Sequence, residues 1–309
     1  TLRAQLQSRP IVPVLIQLVL PEQAEALLLE GLAGLLKSAE LENPKLVGQV
    51  LVVPAEESAV GVIAKLEEGA RLPRAQHLYY HHGIRHIGTW RELAPQADVA
   101  PPWKNGGVYL ITGGAGGLGL LLADDIARQA KHPTLLLAGR SAPTPALEAT
   151  LERLRQRGAQ AAYHRLDVSD PVAVTVLIEQ LCRAHGSLHG IVHSAGLIRD
   201  NFLRHKTREE LQAVCAPKVA GVLALDQATL ALPLDFFLLF SSLAGILGNI
   251  GQADYAAANA FLDAYASYRT RRVAAGECYG RTLAINWPLW QDGGMRVGAD
   301  TTEQLRQRL

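Results

Sequence analysis

The sequence predicts an α/β protein, with a doubly wound parallel sheet in its second part and a smaller α/β layer before it. Three observations carry that expectation. After residue 106, apolar strand-like runs alternate strictly with helical stretches, the pattern that builds a parallel sheet with right-handed crossovers. At 108–119 one such strand runs straight into glycines and then into an apolar-periodic helix. Before about residue 105 the alternation recurs in shorter form, with no glycine at its first turn.

Taken in order, apolar runs at Ile11 to Leu20, Val47 to Val53 and His77 to Tyr80 read as strands, separated by helical patterns at Glu22 to Lys37 and Ala59 to Glu68. The first strand runs into Leu20-Pro-Glu-Gln-Ala24. A dinucleotide needs close backbone approach at that turn, so residues 1–105 read as a structural unit without cofactor. His77, His81, His82 and His86 have no carboxylate or cysteine at ligand spacing and read as part of a surface hairpin, so no metal is expected. Ala94-Pro-Gln-Ala97 to Pro101-Pro-Trp-Lys-Asn-Gly-Gly107 is dense in proline and glycine and marks the boundary.

In residues 106–309 the predicted strands are Val108 to Thr112, Thr134 to Ala138, Ala161 to Leu166, Leu188 to His193, Phe236 to Ser241 and Leu283 to Trp287. Helices fill the gaps at Leu118 to Ala130, Leu147 to Arg157, Val172 to Ala184, Arg208 to Leu230 and Tyr255 to Ala275. Arg204, Lys206 and Arg208 read as a solvated helix start.

Composition excludes several functions. With 30 Lys plus Arg against 29 Asp plus Glu, the net charge of +1 gives no electrostatic case for nucleic acid or an anionic membrane. Cys182, Cys215 and Cys278 are odd in number and lack CxxC spacing, which speaks against a disulfide scaffold or zinc site and for a reducing cytoplasm. Ile11 to Leu20 is too short to span a bilayer.

The strand–glycine–helix junction is the expected dinucleotide site. Gly114, Gly116 and Gly119 satisfy G-x-G-x-x-G, while Thr112, Gly113, Gly117 and Gly119 satisfy T-G-x-x-x-G-x-G, with Leu118 between the last two glycines. Either register lets the backbone approach a pyrophosphate at a helix amino terminus. The second strand ends in Gly139-Arg140-Ser141 rather than a carboxylate. A guanidinium beside a hydroxyl suits a 2′-phosphate, so NADPH is favoured over NADH. Asp167 and Val168, ending the third strand, suit the adenine edge, although Asp167 could instead cap the next helix. Ser194, Ala195 and Gly196 bring small residues against the cofactor.

Tyr255 and Asn259 stand four apart, on one face of a helix, and Ser242 precedes the tyrosine by thirteen residues at the end of a strand. A phenol beside a hydroxyl suits protonation of a carbonyl oxygen. With an ordinary pKa of about 10, it needs a nearby cation to act near neutrality. Lys218, twenty-four residues before Ser242, is the candidate.

These residues carry a resemblance. Residues 106–309 resemble the ketoreductase domain of modular polyketide synthases, a branch of the short-chain dehydrogenase/reductase superfamily. The matching motifs are Val108-Tyr-Leu-Ile-Thr-Gly-Gly-Ala-Gly-Gly-Leu-Gly119, Gly190-Ile-Val-His-Ser-Ala-Gly196, Lys218-Val-Ala-Gly221, Phe240-Ser-Ser-Leu-Ala-Gly245, Gly251-Gln-Ala-Asp-Tyr-Ala-Ala-Ala-Asn-Ala-Phe-Leu-Asp263 and Asn286-Trp-Pro-Leu-Trp290. Most short-chain reductases place the lysine four residues after the tyrosine; here that position is Asn259, and Lys218 lies upstream, as in this family. The first part resembles the family's degenerate Rossmann-like structural subdomain, including Gly31-Leu-Ala-Gly-Leu-Leu-Lys37 and Glu42-Asn-Pro-Lys45.

The resemblance implies NADPH-dependent reduction of a β-ketoacyl thioester, carried by an acyl carrier protein among neighbouring synthase domains, to a β-hydroxyacyl thioester. Tyr255 would be the proton donor, Ser242 a hydrogen-bond donor to the same oxygen, Lys218 the cation, and Asn259 part of the polar network. Two family marks bear on the face reduced. Leu197-Ile-Arg-Asp200 keeps the final aspartate of a Leu-Asp-Asp loop, and Leu247 stands where the opposite type has tryptophan. Both imply the B type, giving a D-configured hydroxyl, and Ala257, where epimerising members have proline, implies no α-epimerisation. Trp290 to Met295 resembles the substrate lid, and the family's last helix and strand are not in this sequence. A standalone short-chain reductase and a catalytically silent scaffold are the alternatives.

Overall fold

The computed structural model describes residues 2–8, 10–23, 25–94 and 100–290. The first of its two sheets has the order β1 (Val14–Pro21), β2 (Leu46–Val53), β3 (His77–His81), β4 (Ile84–Ile87), parallel except for the β3–β4 hairpin. Strand β2 is covered on both faces. Val50 and Val52 pack with Ala33 and Leu36 of α2 (Leu32–Glu42), and Leu51 and Val53 with Val62 and Leu66 of α3 (Ala59–Ala70). The polar exceptions are paired: Gln17 Nε2 donates to Gln49 Oε1, and Gln49 Nε2 to the carbonyls of Gly69 and Leu72.

The helix expected at Glu22 to Lys37 is split into a 3-10 turn at Ala26–Gly31 followed by α2. A short helix, α1 (Leu2–Gln7), precedes β1. The four histidines fall on the β3–β4 hairpin.

The second sheet has six parallel strands: β5 (Val108–Thr112), β6 (Thr134–Gly139), β7 (Gln160–Arg165), β8 (Gly190–His193), β9 (Phe236–Ser242) and β10 (Arg281–Trp287), in the order β10-β9-β8-β5-β6-β7. The chain starts at the centre, winds outward to β7, then crosses back to β8. This 3-2-1-4-5-6 order opens a crevice at the reversal point, outside the carboxyl ends of β5 and β8. All five residues of β5 are buried, as a central strand between helical layers requires.

Local signals set the helices α4 (Gly117–Gln129), α5 (Pro145–Gln156), α6 (Pro171–His185), α7 (Arg208–Thr229), α8 (Leu243–Leu247) and α9 (Ala253–Ala274). Asp170 caps α6, accepting from Val172 N and Ala173 N, and Gly186 ends it in a left-handed conformation. Thr207 and Glu210 form a reciprocal capping box on α7. Lys206 departs from the expected solvated helix start. It is buried against Asp254 at 3.0 Å and also donates to the Arg199 carbonyl, because the loop before α7 folds back over the start of α9.

Helix α9 joins the two units. On one side it meets α2, where a Cβ at Gly34 would lie 2.4 Å from the Ala256 carbonyl oxygen. On another, Arg269 is fully buried: its Nε donates to Asp226 Oδ1 of α7 at 2.6 Å, and its other nitrogens donate to the carbonyls of Tyr279 and Gly280 and to Thr282 Oγ1. Tyr265 donates to the second Asp226 oxygen at 2.6 Å. Gly34→Ala must push α2 away from α9, so it is expected to lower unfolding stability by about 1–3 kcal/mol. Chemical denaturation measures the loss, and a parallel fall in turnover would report displacement of Tyr255.

Candidate active site

A cavity of about 950 Å³ sits at the reversal point of the second sheet. Its lining brings together Thr112, Gly113, Gly116, Gly117 and Leu118 of the glycine turn, Arg140 and Ser141 after β6, Asp167 and Val168 after β7, and Ser194, Ala195 and Gly196 after β8. Lys218, Ser242 and Tyr255 line it too, with Asp200, Leu247 and Trp290. Gly114, Gly119 and Asn259 lie behind this surface. Met295 falls outside the described residues.

Both glycine registers are packed tightly: a Cβ at Gly114 would lie 2.6 Å from the Ile111 carbonyl oxygen. Gly113 has φ +66°, and a Cβ there would lie 2.7 Å from backbone atoms of Ser194 and Ala195, so it makes the tight turn against the end of β8. Gly116 is the N-cap and α4 starts at Gly117, directing the helix amino terminus at the cavity. A Cβ at Gly119 would meet Gly113 O at 2.8 Å, which closes the helix onto the turn. Below the turn, Thr112 Oγ1 and His193 Nδ1 lie 2.8 Å apart. Burial, helped by the Lys218 ammonium, drives the His193 pKa down to about 3, so this imidazole is neutral.

At the far end the Arg140 side chain is exposed on the cavity rim, and the backbone beneath it is fastened. Tyr163 donates to the Ser141 carbonyl at 2.8 Å and Arg165 Nε to the Arg140 carbonyl at 3.0 Å. Asp167 does not cap α6, a role taken by Asp170. It accepts from the Ser169 hydroxyl and backbone N–H, and these bonds hold its carboxyl below the usual range.

At the other end, Ser242 closes β9 and caps α8, its Oγ accepting from Ala244 N at 3.2 Å. Tyr255 lies in the first turn of α9 and is 7% exposed. Burial raises its pKa, hydrogen bonds with the Ser242 and Asn259 side chains work against that rise, and the Asp200 charge adds to it. Lys218 Nζ donates to the Phe240 carbonyl at 3.0 Å and stands 5.8 Å from the Tyr255 ring centre. Burial depresses its pKa to about 8, opposed by Asp263. Asn259 Nδ2 donates to the Tyr255 carbonyl at 2.8 Å, while its buried Oδ1 has no protein partner among the described residues.

Sequence reasoning missed the support behind this set. Asn286 Nδ2 contacts Asp263 Oδ2 at 2.8 Å, Ser241 Oγ at 3.1 Å and the Ser242 carbonyl at 3.2 Å, holding the end of β9. Ser241 Oγ donates to the Asn259 carbonyl. Burial pushes the Asp263 carboxyl up to about 6. The signal was present: Tyr255, Asn259 and Asp263 are spaced at i, i+4 and i+8, one helical stripe.

Lys218 loses its charge as pH rises through about 8, so any acid catalysis by the phenol that needs this charge should decline above that pH. A pH–rate profile of kcat checks this; a rate still flat at pH 10 contradicts it.

The crevice, the glycine turn and the serine–tyrosine–lysine set on one cavity define an oxidoreductase of the short-chain dehydrogenase/reductase class, whose members bind a nicotinamide cofactor. The residues fit that group: small glycines front a helix amino terminus, and Lys218 reaches the same cavity. Within the class, the chain belongs to the ketoreductase family of polyketide synthases, the KR domain model matching residues 107–292. It is 48% identical over 301 residues to the polyketide synthase PksN of Bacillus subtilis, covering 97% of this chain and 6% of that protein. It is 47% identical over 295 residues to PksL of the same organism, covering 94% of this chain and again 6% of the relative. Among solved structures, a ketoreductase domain from the bacillaene assembly line matches with a TM-score of 0.95 at 43% identity, covering 99% of this chain and 73% of that one. The chain thus spans about 6% of the length of these synthases.

Among the described residues, no helix is long and apolar enough to cross a membrane, and no group of three or more His, Cys, Asp or Glu could hold a metal ion.

Proposed function

We propose that the chain reduces a β-ketoacyl thioester, presented on the phosphopantetheine arm of an acyl carrier protein, to the D-configured β-hydroxyacyl thioester, without α-epimerisation and in the cytoplasm. The observation that carries this reading is the arrival of Lys218, Ser242 and Tyr255 on the cavity that begins at the glycine turn. Bound NADPH supplies the hydride. The amino terminus of α4 takes the pyrophosphate, and Arg140 with Ser141 takes the 2′-phosphate.

Ser242 Oγ and the Tyr255 phenol hydrogen-bond the β-carbonyl oxygen, and Tyr255 gives it a proton as negative charge develops there. Lys218 favours the resulting phenolate. Asn259 Oδ1, which has no protein partner among the described residues, suits a water that helps return the proton. Residues 1–105 act as the structural unit, bracing α9 through α2. Asp200 on the rim and Leu247 in place of tryptophan support the D product.

The test is oxidation of NADPH, against NADH, with a β-ketoacyl N-acetylcysteamine thioester, followed by chiral chromatography of the alcohol. NADPH preference and the D alcohol are expected. No cofactor oxidation would favour a silent scaffold, and equal turnover of simple ketones a standalone reductase.

A further inference from the structure

Two segments of irregular backbone form the substrate side of the cavity: 197–206, which contributes Ile198 and Asp200, and 248–252, which contributes Asn249, Ile250 and Gln252. Both are fastened by α2, from the other half of the molecule. Glu42, the last residue of α2, accepts from Leu203 N at 2.8 Å through Oε2, and from Leu203 N and Gly251 N, each at 3.1 Å, through Oε1. One carboxylate therefore holds both segments, across 161 and 209 residues of sequence.

The segments also touch each other. Asn201 N donates to the Gly251 carbonyl at 2.9 Å, and Gln252 Nε2 donates to Asp200 Oδ1 at 3.0 Å. Asn249 Nδ2 donates to the side-chain Oε1 of Gln252 at 2.9 Å, so the orientation of Asp200 depends on how the segments sit together. Two neighbours of Glu42 on α2 add to the hold: Ser38 Oγ accepts from Asn249 N, and Lys37 Nζ donates to the Ile246 carbonyl.

We propose that Glu42 is a positioning residue: by clamping 197–206 to 248–252 it fixes Asp200 and Gln252 relative to Tyr255, and so sets which face of the keto group meets the cofactor. This rests on the reductase reading above. A carboxylate suits the task because it only accepts, and its two oxygens serve both N–H groups. Glutamine has one oxygen, and its NH₂ would turn a donor toward one of those N–H groups, so Glu42→Gln keeps the shape and breaks half of the clamp.

The test compares wild type and Glu42→Gln in three readouts: NADPH Kd by calorimetry, KM for a β-ketoacyl N-acetylcysteamine thioester, and the enantiomer ratio of the alcohol. The expected result is a KM higher by about tenfold, the minor alcohol rising to a detectable share, and an NADPH Kd within about twofold of wild type. An unchanged KM and ratio would overturn the clamp, as would a parallel loss of NADPH binding, which would mean general loosening. Amide hydrogen exchange on wild type tests the clamp without turnover or mutation: the Leu203 and Gly251 amides should exchange slowly. Exchange at open-loop rates overturns it, whereas a wild type inert toward thioesters counts against the reductase reading instead.

Discussion

Tyr255→Phe should lower kcat for keto reduction by about 10²- to 10⁴-fold, the range general acid catalysis contributes, while NADPH binding stays close to wild type. The phenol is the one polar group of the α9 stripe that lines the cavity, with Ser242 beside it and the Lys218 ammonium above its ring. Removing a single oxygen leaves the packing of a 7%-exposed ring almost untouched. The loss therefore falls on the chemical step. Single-turnover kinetics with saturating NADPH, beside calorimetric NADPH binding, separates the two. A Phe variant retaining full turnover would remove Tyr255 as the acid.

The second large effect is on stability. Arg269→Ala should cost about 3–5 kcal/mol, because it breaks a buried ion pair and takes from Asp226 its closest cation. Asp226 is 2% exposed, and Arg269 also satisfies two carbonyls and a hydroxyl around the turn into β10. Arg272, the other cation on Asp226, has a side chain 21% exposed and pairs at 3.1 Å. Its alanine variant should cost about 1 kcal/mol or less. Urea denaturation of both variants checks the contrast, and a double mutant with Asp226→Asn should recover part of the Arg269 loss. Equal costs at both positions would show that burial does not decide the strength of this cluster.

Most of the architecture was legible because the signals were local. Four strands of the second sheet stop at glycine, proline or a capping residue: β5 before Gly113, β6 at Gly139, β9 at Ser242 and β10 before Pro288, and the crossover helices follow from their periodicity. The glycine turn needed its neighbours: either register fitted the letters, and the close packing of both Gly113 and Gly114 is visible only in three dimensions. Helix α8 was missed because five residues give no periodic pattern. The 3-10 turn before α2 was read as helix because both spacings place apolar residues on one side.

The roles of Glu42 and Lys206 could not be read. Each depends on partners brought close only when the two halves pack, and nothing near them in sequence records it. Asp263 was legible in its spacing and passed over, since a carboxylate midway along a long helix usually faces water.

Helix α9 is an unbroken run of 22 residues, about 33 Å at 1.5 Å per residue. One end carries Tyr255 and the far half carries Arg269, which binds α7 and the turn into β10. No joint separates them, and α2 is seated along the same rod. Among the described residues nothing interrupts this rod beside the cavity, so any motion that opens the cavity falls to the segments around its mouth.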